Sequence, residues 1–314
     1  MCKYALKHSV FFLEAAPSFS FYCPFRAPVK CAMMKGEWKR SVKHVKQPRN
    51  PRRLVVKVGT STLTRETGSL NLQNMEHLAR VLADLEGMGY QPVLVSSGAI
   101  GIGTKKLRLG ERPTELRMKQ AAAAVGQCRM MHIYDKLFAE YNRTVAQILL
   151  TGEDVESPVR SEHLHNTFEA LLELGVIPVV NENDSVSSAE IETGQCKVLG
   201  DNDTLSAIVA RLCGAGLLVL FSDIDGLYDA DPRTHPDARL IHQVEAITPE
   251  LRAMAGGAGT WRGTGGMATK LRAARMVTGS GADMVIANGA HPELLYDIAA
   301  GKPAGTRFTG HKED

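Results

Sequence analysis

The sequence lacks the pairings that metal and disulfide chemistry need. Its six cysteines, Cys2, Cys23, Cys31, Cys128, Cys196 and Cys213, are scattered, with no C-x-x-C and no matched histidine spacing. That excludes a disulfide framework and a structural zinc site, and favours reduced thiols in an intracellular protein. No run of about 18 apolar residues occurs, so no transmembrane helix is expected. A single sign of charge is also missing from the body of the chain. Of 37 basic and 34 acidic residues, 25 and 32 fall within 54–314, a net of −7 there. Extended nucleic-acid binding by that region is therefore not expected.

Familiar loop templates fail as well. The glycine-rich stretch GTGGMATK at 263–270 has its lysine after Thr269 and before Leu271, which rules out a P-loop. A dinucleotide fingerprint could use Gly263, Gly265 and Ala268, but the preceding GGAGTWR is no strand. In SDIDGLYDADP, counting from Asp223 puts Tyr228 at the sixth position, where a calcium loop of the EF-hand type needs glycine. That loop either shapes a nucleotide pocket or merely turns the chain. His163 and His165 are two apart, so a helix points them to different faces and they form no catalytic pair.

Residues 1–52 read as a basic leader. The apolar run VFFLEAAPSFSFYCPF is broken by Glu14, Pro17 and Pro24, which spoils it as a signal-peptide core, and Met33 and Met34 offer later starts. Too little of this segment can be buried to order it. A cytoplasmic location follows, or an organellar one if the leader is a transit peptide.

From Arg53 onward, short apolar runs alternate with helical periodicity. LVVKVG, PVLVSSG, VAQILL, VIPVVN, LLVLFSD and DMVIAN are β-branched and nearly continuous, as strands buried on both faces are. Between them, Leu72, Met75, Leu78, Leu82 and Leu85 recur at helical spacing after a candidate Asn71 cap. ELRMKQAAAAVGQ, SEHLHNTFEALLELG and DTLSAIVARLCG are further helices. This alternation predicts an α/β sandwich built on a mostly parallel sheet. Ligands in such sheets bind at the carboxyl ends of the strands, and the polar, glycine-rich segments KVGTST, SSGAIGIG, NENDSV and SDIDGLYDADP all follow strands.

Lys57 interrupts an apolar strand, which is costly unless it is paired or faces a ligand; a solvent-facing edge position fits the flanking valines poorly. In SSGAIGIG, Gly98, Gly101 and Gly103 permit a sharp exit from the strand, and Ser96 and Ser97 supply hydroxyls. Asn181, Glu182, Asn183 and Asp184 form a polar cluster suited to an amino group and a carboxylate. In GDND one of Asp201, Asn202 and Asp203 caps the next helix. A cap explains one acid, and Asp203 is the candidate for fixing Lys57 and Lys270 in place.

Taken in order, KVGTSTL, SSGAIGIG, NENDSV, GDND, SDIDGLYDADP and GTGGMATK resemble the glutamate 5-kinase branch of the amino acid kinase family over residues 53–309. The resemblance implies a kinase domain over 53–314 with a three-layer αβα sandwich, glutamate toward its N-terminal half and ATP with Mg²⁺ toward its C-terminal half. It implies catalytic roles for Lys57, Lys270 and Asp203, and glutamate binding by Ser97, Asp184 and Asn202. ATP would contact Lys57, Ser222, Asp223 and the run Thr264, Gly265, Gly266, Met267, Ala268, Thr269 and Lys270, with the metal carried by ATP. Proline as feedback inhibitor, a downstream glutamyl phosphate reductase and a homodimer or homotetramer are also implied. Rival readings are an acetylglutamate, aspartate or uridylate kinase, or a non-catalytic glutamate or proline sensor. Against the family pattern, CKVLGDND is one residue longer, Ser222 stands where threonine is common, and no C-terminal PUA domain is expected.

Overall fold

In the computed structural model the described residues are 49–65, 69–186, 199, 201–232, 234–254 and 266–311. All of them fall in one unit, Val45–Asp314. The leader up to residue 48 lies outside them.

The first half of the chain lays down β1 (Asn50–Val58), α1 (Thr60–Leu63), α2 (Leu72–Gly87), β2 (Gln91–Ser96), α3 (Ala99–Lys106), α4 (Leu116–Ala139), β3 (Val145–Leu150), α5 (Gly152–Glu156), α6 (Pro158–Glu173) and β4 (Ile177–Glu182). The second half adds α7 (Asn202–Leu212), β5 (Ala215–Ser222), β6 (Leu227–Tyr228), β7 (Leu240–Ile241), β8 (Gln243–Val244), α8 (Pro249–Met254), α9 (Met267–Thr278), β9 (Asp283–Asn288), α10 (Leu294–Ala299) and β10 (Thr306–Phe308). The six apolar runs of the sequence correspond to β1, β2, β3, β4, β5 and β9. None of the described helices is long and apolar enough to cross a membrane.

Eight strands form one sheet in the order β3-β4-β2-β1-β5-β9-β10-β8. It is parallel except where β10 runs antiparallel to β9. A separate antiparallel pair joins β6 to β7. The order reverses at β1, which has β2 on one side and β5 on the other. The crevice beyond the carboxyl end of β1 is thus the switch point where such sheets bind ligands.

Alternation along the strands assigns the two faces. Val55, Val93, Val95, Val180, Leu218, Leu220 and Ile286 pack with α6, α7 and α9. Leu54, Val56, Val58, Leu94, Val179, Val219, Phe221 and Val285 pack with α2, α3, α4 and α10. A mostly parallel sheet covered on both faces is the predicted three-layer arrangement. Each fully buried Leu or Val contributes roughly 1.5–3 kcal/mol. The same parity puts Arg53, Val55 and Lys57 on one face, toward α6 and α7.

Glycine roles divide differently from the sequence reading. Gly98 has φ +100 and does turn the chain out of β2. Gly103 does not: a Cβ there would meet Ala122 O at 1.7 Å, and one on Gly126 would meet Ala99 O at 1.7 Å. These two let the backbones of α3 and α4 touch. Gly101 has nothing within 4 Å of its Cβ position.

Candidate active site

Lys57 lies near the carboxyl end of β1, paired in register with Val95 of β2 and Leu220 of β5. It is 8% exposed, Lys270 6% and Asp203 1%. Asp203 sits in the first turn of α7, and its two carboxylate oxygens each meet one lysine. Lys57 Nζ is 2.8 Å from Oδ1 and Lys270 Nζ is 3.2 Å from Oδ2. Thr269 Oγ1 also donates to Oδ2 at 2.8 Å. The Lys57 contact has ion-pair distance without hydrogen-bond direction, so Oδ1 has no hydrogen-bond donor among the described residues.

Burial alone would raise the Asp203 carboxyl. The positive charges of Lys57 and Lys270, with the bond from Thr269, outweigh that and hold it at about 2 against an ordinary 3.8. Asp203 is therefore ionised at neutral pH, and its one carboxylate serves both lysines. Gly59 leaves room beside it: a Cβ there would lie 3.5 Å from Lys57 Nζ.

Why α7 starts at this point is local chemistry. Asp201 is the cap, its side chain accepting from the Asp203 and Thr204 amides at 2.9 and 2.8 Å. That settles which member of GDND caps and frees its neighbours. Consecutive helical residues point about 100° apart, so Asn202 faces away from Asp203. Asn202 Nδ2 donates to Ser97 Oγ at 2.6 Å and to Asn181 Oδ1 at 3.3 Å. Asn181 Nδ2 in turn donates to Gln127 Oε1 on α4 at 3.0 Å. Asp184 lines a cavity of about 360 Å³, along with Gln127, Glu182 and Ser185, between α4 and the carboxyl ends of β3 and β4.

On the other side of β1, Ser222 ends β5 and its hydroxyl donates to Asp223 at 3.2 Å. Gly266 is the N-cap residue of α9 and, having no side chain, provides no capping bond. Met267 and Ala268 follow in the open first turn, then Thr269 and Lys270 facing Asp203. Thr264 and Gly265 lie outside the described residues. In the aspartate-rich loop, Asp225 accepts from Asn288 and Tyr228, and Asp229 accepts from the Arg239 amide. These acids brace the loop. No group of three His, Cys, Asp or Glu side chains suited to a metal occurs among the described residues.

The sequence reading missed Gln127 and Arg53. Gln127 was signalled only as a polar residue on a face of small ones in QAAAAVGQ. Arg53 is a second buried cation on β1, at its amino end, where Glu169 takes both guanidinium nitrogens. Gln91 Oε1 accepts from its Nε, and Cys213 O from one terminal nitrogen.

Comparison with known proteins gives the chain's family and fold. The sequence profile of the amino acid kinase family matches residues 52–288. The chain is 54% identical to glutamate 5-kinase of Clostridium perfringens over 264 residues, 84% of this chain and 97% of that one. It is 55% identical to the glutamate 5-kinase of Clostridium tetani, covering 82% of this chain and 95% of that one. Among solved structures, carbamate kinase from Giardia lamblia superposes with a TM-score of 0.59 at 14% identity, covering 85% and 100% of the two chains. UMP kinase from Bacillus anthracis gives 0.57 at 16%, covering 84% and 97%. The structural likenesses establish the fold, the sequence matches establish the lineage, and the chain belongs to the amino acid kinase family.

Proposed function

We propose that the chain transfers the γ-phosphoryl group of ATP to the γ-carboxylate of L-glutamate, giving L-glutamyl 5-phosphate and ADP, the first step of proline biosynthesis. The observation that carries this reading is the arrangement at the start of α7. Asp203 holds Lys57 and Lys270 on its two oxygens, while its neighbour Asn202 turns toward Ser97. Relatives more than half identical over nearly their full length, named glutamate 5-kinases, supply the acceptor's identity.

The chemistry suits these residues. A glutamate side chain with a pKa of about 4.3 is already ionised at neutral pH, so its oxygen attacks phosphorus without a general base. What the reaction requires is two anions brought together in line and the charge on the transferring group neutralised. Lys57 and Lys270 supply that charge from two elements, β1 and α9. Asp203 fixes both ammonium groups, and its own low pKa keeps it from taking a proton from the reaction. As the carboxylate oxygen bonds to the γ-phosphorus, the bond to the bridging oxygen of ADP breaks and its electrons stay with ADP.

Ser97, Asn202 and Asp184 would hold glutamate. Ser222, Asp223 and the start of α9, where amides and helix dipole favour anions, would hold ATP. Mg²⁺ would arrive on the nucleotide and add charge neutralisation; we assign it no protein ligands. The product is a labile acyl phosphate, which a glutamyl phosphate reductase would consume. Feedback inhibition by proline, assembly as a homodimer or homotetramer, a cytoplasmic site of action and a kinase domain spanning 53–314 belong to the same reading.

ATP turnover with hydroxylamine as trap tests it, comparing glutamate, N-acetylglutamate and aspartate. Hydroxamate from glutamate alone is the expected result. Hydroxamate from another acid and none from glutamate would leave the family and overturn the substrate.

A further inference from the structure

The run of side-chain amides from Asn202 through Asn181 ends at Gln127, and the end is unfinished. Gln127 is 7% exposed. Its Oε1 accepts from Asn181, whereas its Nε2 is buried with no acceptor among the described residues. Direction along the run leaves this donor over. Asn202 spends its amide nitrogen on Ser97 Oγ and Asn181 Oδ1, so Asn181 presents its own nitrogen to Gln127, which can only accept there. A buried donor left unpaired is costly, and native structures seldom keep one without a reason.

The cavity beside it bounds what its partner can be. Gln127 lines a space of about 360 Å³ whose walls include Ala123 and Met131, and whose polar lining adds Glu182 and Asp184. Acids in the lining suit an ammonium group, and an amide N–H suits a carboxylate. Together they complement the two ends of an α-amino acid.

We propose that Gln127 is a specificity-determining residue whose Nε2 donates to a carboxylate oxygen of the acceptor amino acid, while its Oε1 holds Asn181 and, through it, Asn202. This rests on the reading of the chain as a kinase of an amino acid. Binding then satisfies the buried donor left open at Gln127, so the occupant of the cavity also fixes the side chain that faces Ser97.

Two substitutions test it. Gln127→Met removes donor and acceptor at similar volume; Gln127→Glu, assayed at pH 8, keeps the acceptor for Asn181 and loses the donor. Loss of a hydrogen bond to a charged group predicts that KM for glutamate in the hydroxamate assay rises about 10- to 100-fold in both variants. KM for ATP is expected to hold within about twofold, because uniform binding of only one substrate has been lost. Calorimetric titration of glutamate reads the same ratio without turnover. Burial should raise the introduced carboxyl above its ordinary value, so lowering the pH toward 5 should bring the Gln127→Glu value back toward wild type as a protonated carboxyl again donates; a purely structural role gives no such recovery. An unchanged or lowered KM and Kd for glutamate in Gln127→Glu would overturn the proposal. If the wild type uses a different acid, the substrate reading fails, and Gln127 is judged by the same ratio on the acid used.

Discussion

Strand β1 carries two buried cations on the same face, Arg53 and Lys57, and their surroundings differ. Arg53 is bonded through all three nitrogens: Glu169 takes both terminal ones, Gln91 takes Nε, and the Cys213 carbonyl takes a second bond from Nη1. Lys57 meets a single carboxylate oxygen, on an acid that it shares with Lys270. One end of the strand holds a cation bonded by the groups packed around it, and the other holds a cation that shares its carboxylate with a second lysine. Burial of a charge therefore does not mark function; a buried cation that shares its counter-ion at a ligand-binding edge does.

The sharpest way to break this comparison is Lys57→Met. Loss of one transition-state donor predicts a fall in kcat of about 10²- to 10³-fold, read by hydroxamate formation, with KM for glutamate little moved. Arg53→Met should reverse the pattern. Its loss leaves the buried Cys213 carbonyl unpaired but only a partly exposed Glu169, so about 1–3 kcal/mol of stability should go, while kcat of the folded fraction stays near wild type. Urea unfolding read beside kcat separates the two.

Acid gives a graded version of the same contrast. Asp203 has its carboxyl lowered from 3.8 to about 2, so its contribution is fully present above pH 4 and is lost as pH falls toward 2. Glu169 is also lowered, chiefly by its bond from Arg53, and acts in the same direction. Thermal unfolding between pH 5 and 2 should show declining stability, with Asp203→Asn flattening that decline. The smallest expected effect is Gly59→Ala. Its φ of −85 is unstrained and the new Cβ would sit at ordinary contact distance from Lys57 Nζ. Stability should change by about 0.5 kcal/mol or less. KM for ATP should still rise, because the methyl occupies space beside the Lys57 ammonium.

How much of this was legible in the sequence follows from how local each feature is. The apolar runs of β1, β2, β3, β4, β5 and β9 declare themselves by continuity, whereas β6, β7, β8 and β10 have two or three residues each, too few for any period. Lys57, Asp203 and Lys270 were readable because each breaks a local rule: a cation in a strand, a surplus acid at a cap, a lysine where a P-loop forbids it. Their meeting on one carboxylate is a tertiary fact that spacing alone could not give. Gly103 and Gly126 were opaque for the same reason, since the backbone atoms they admit, Ala122 O and Ala99 O, come from the opposite helix. Arg53 stood at the margin of the apolar run, with no sign of Glu169 across more than a hundred residues.

The central claim is that Lys57 and Lys270 act on one group across Asp203, and a double-mutant cycle in kcat tests it most directly. Residues that act as a unit are strongly non-additive. The Lys57→Met, Lys270→Met double variant should therefore lie within about tenfold of the worse single variant. Losses that multiply in the double variant, with the fold intact by melting temperature, would contradict a shared centre.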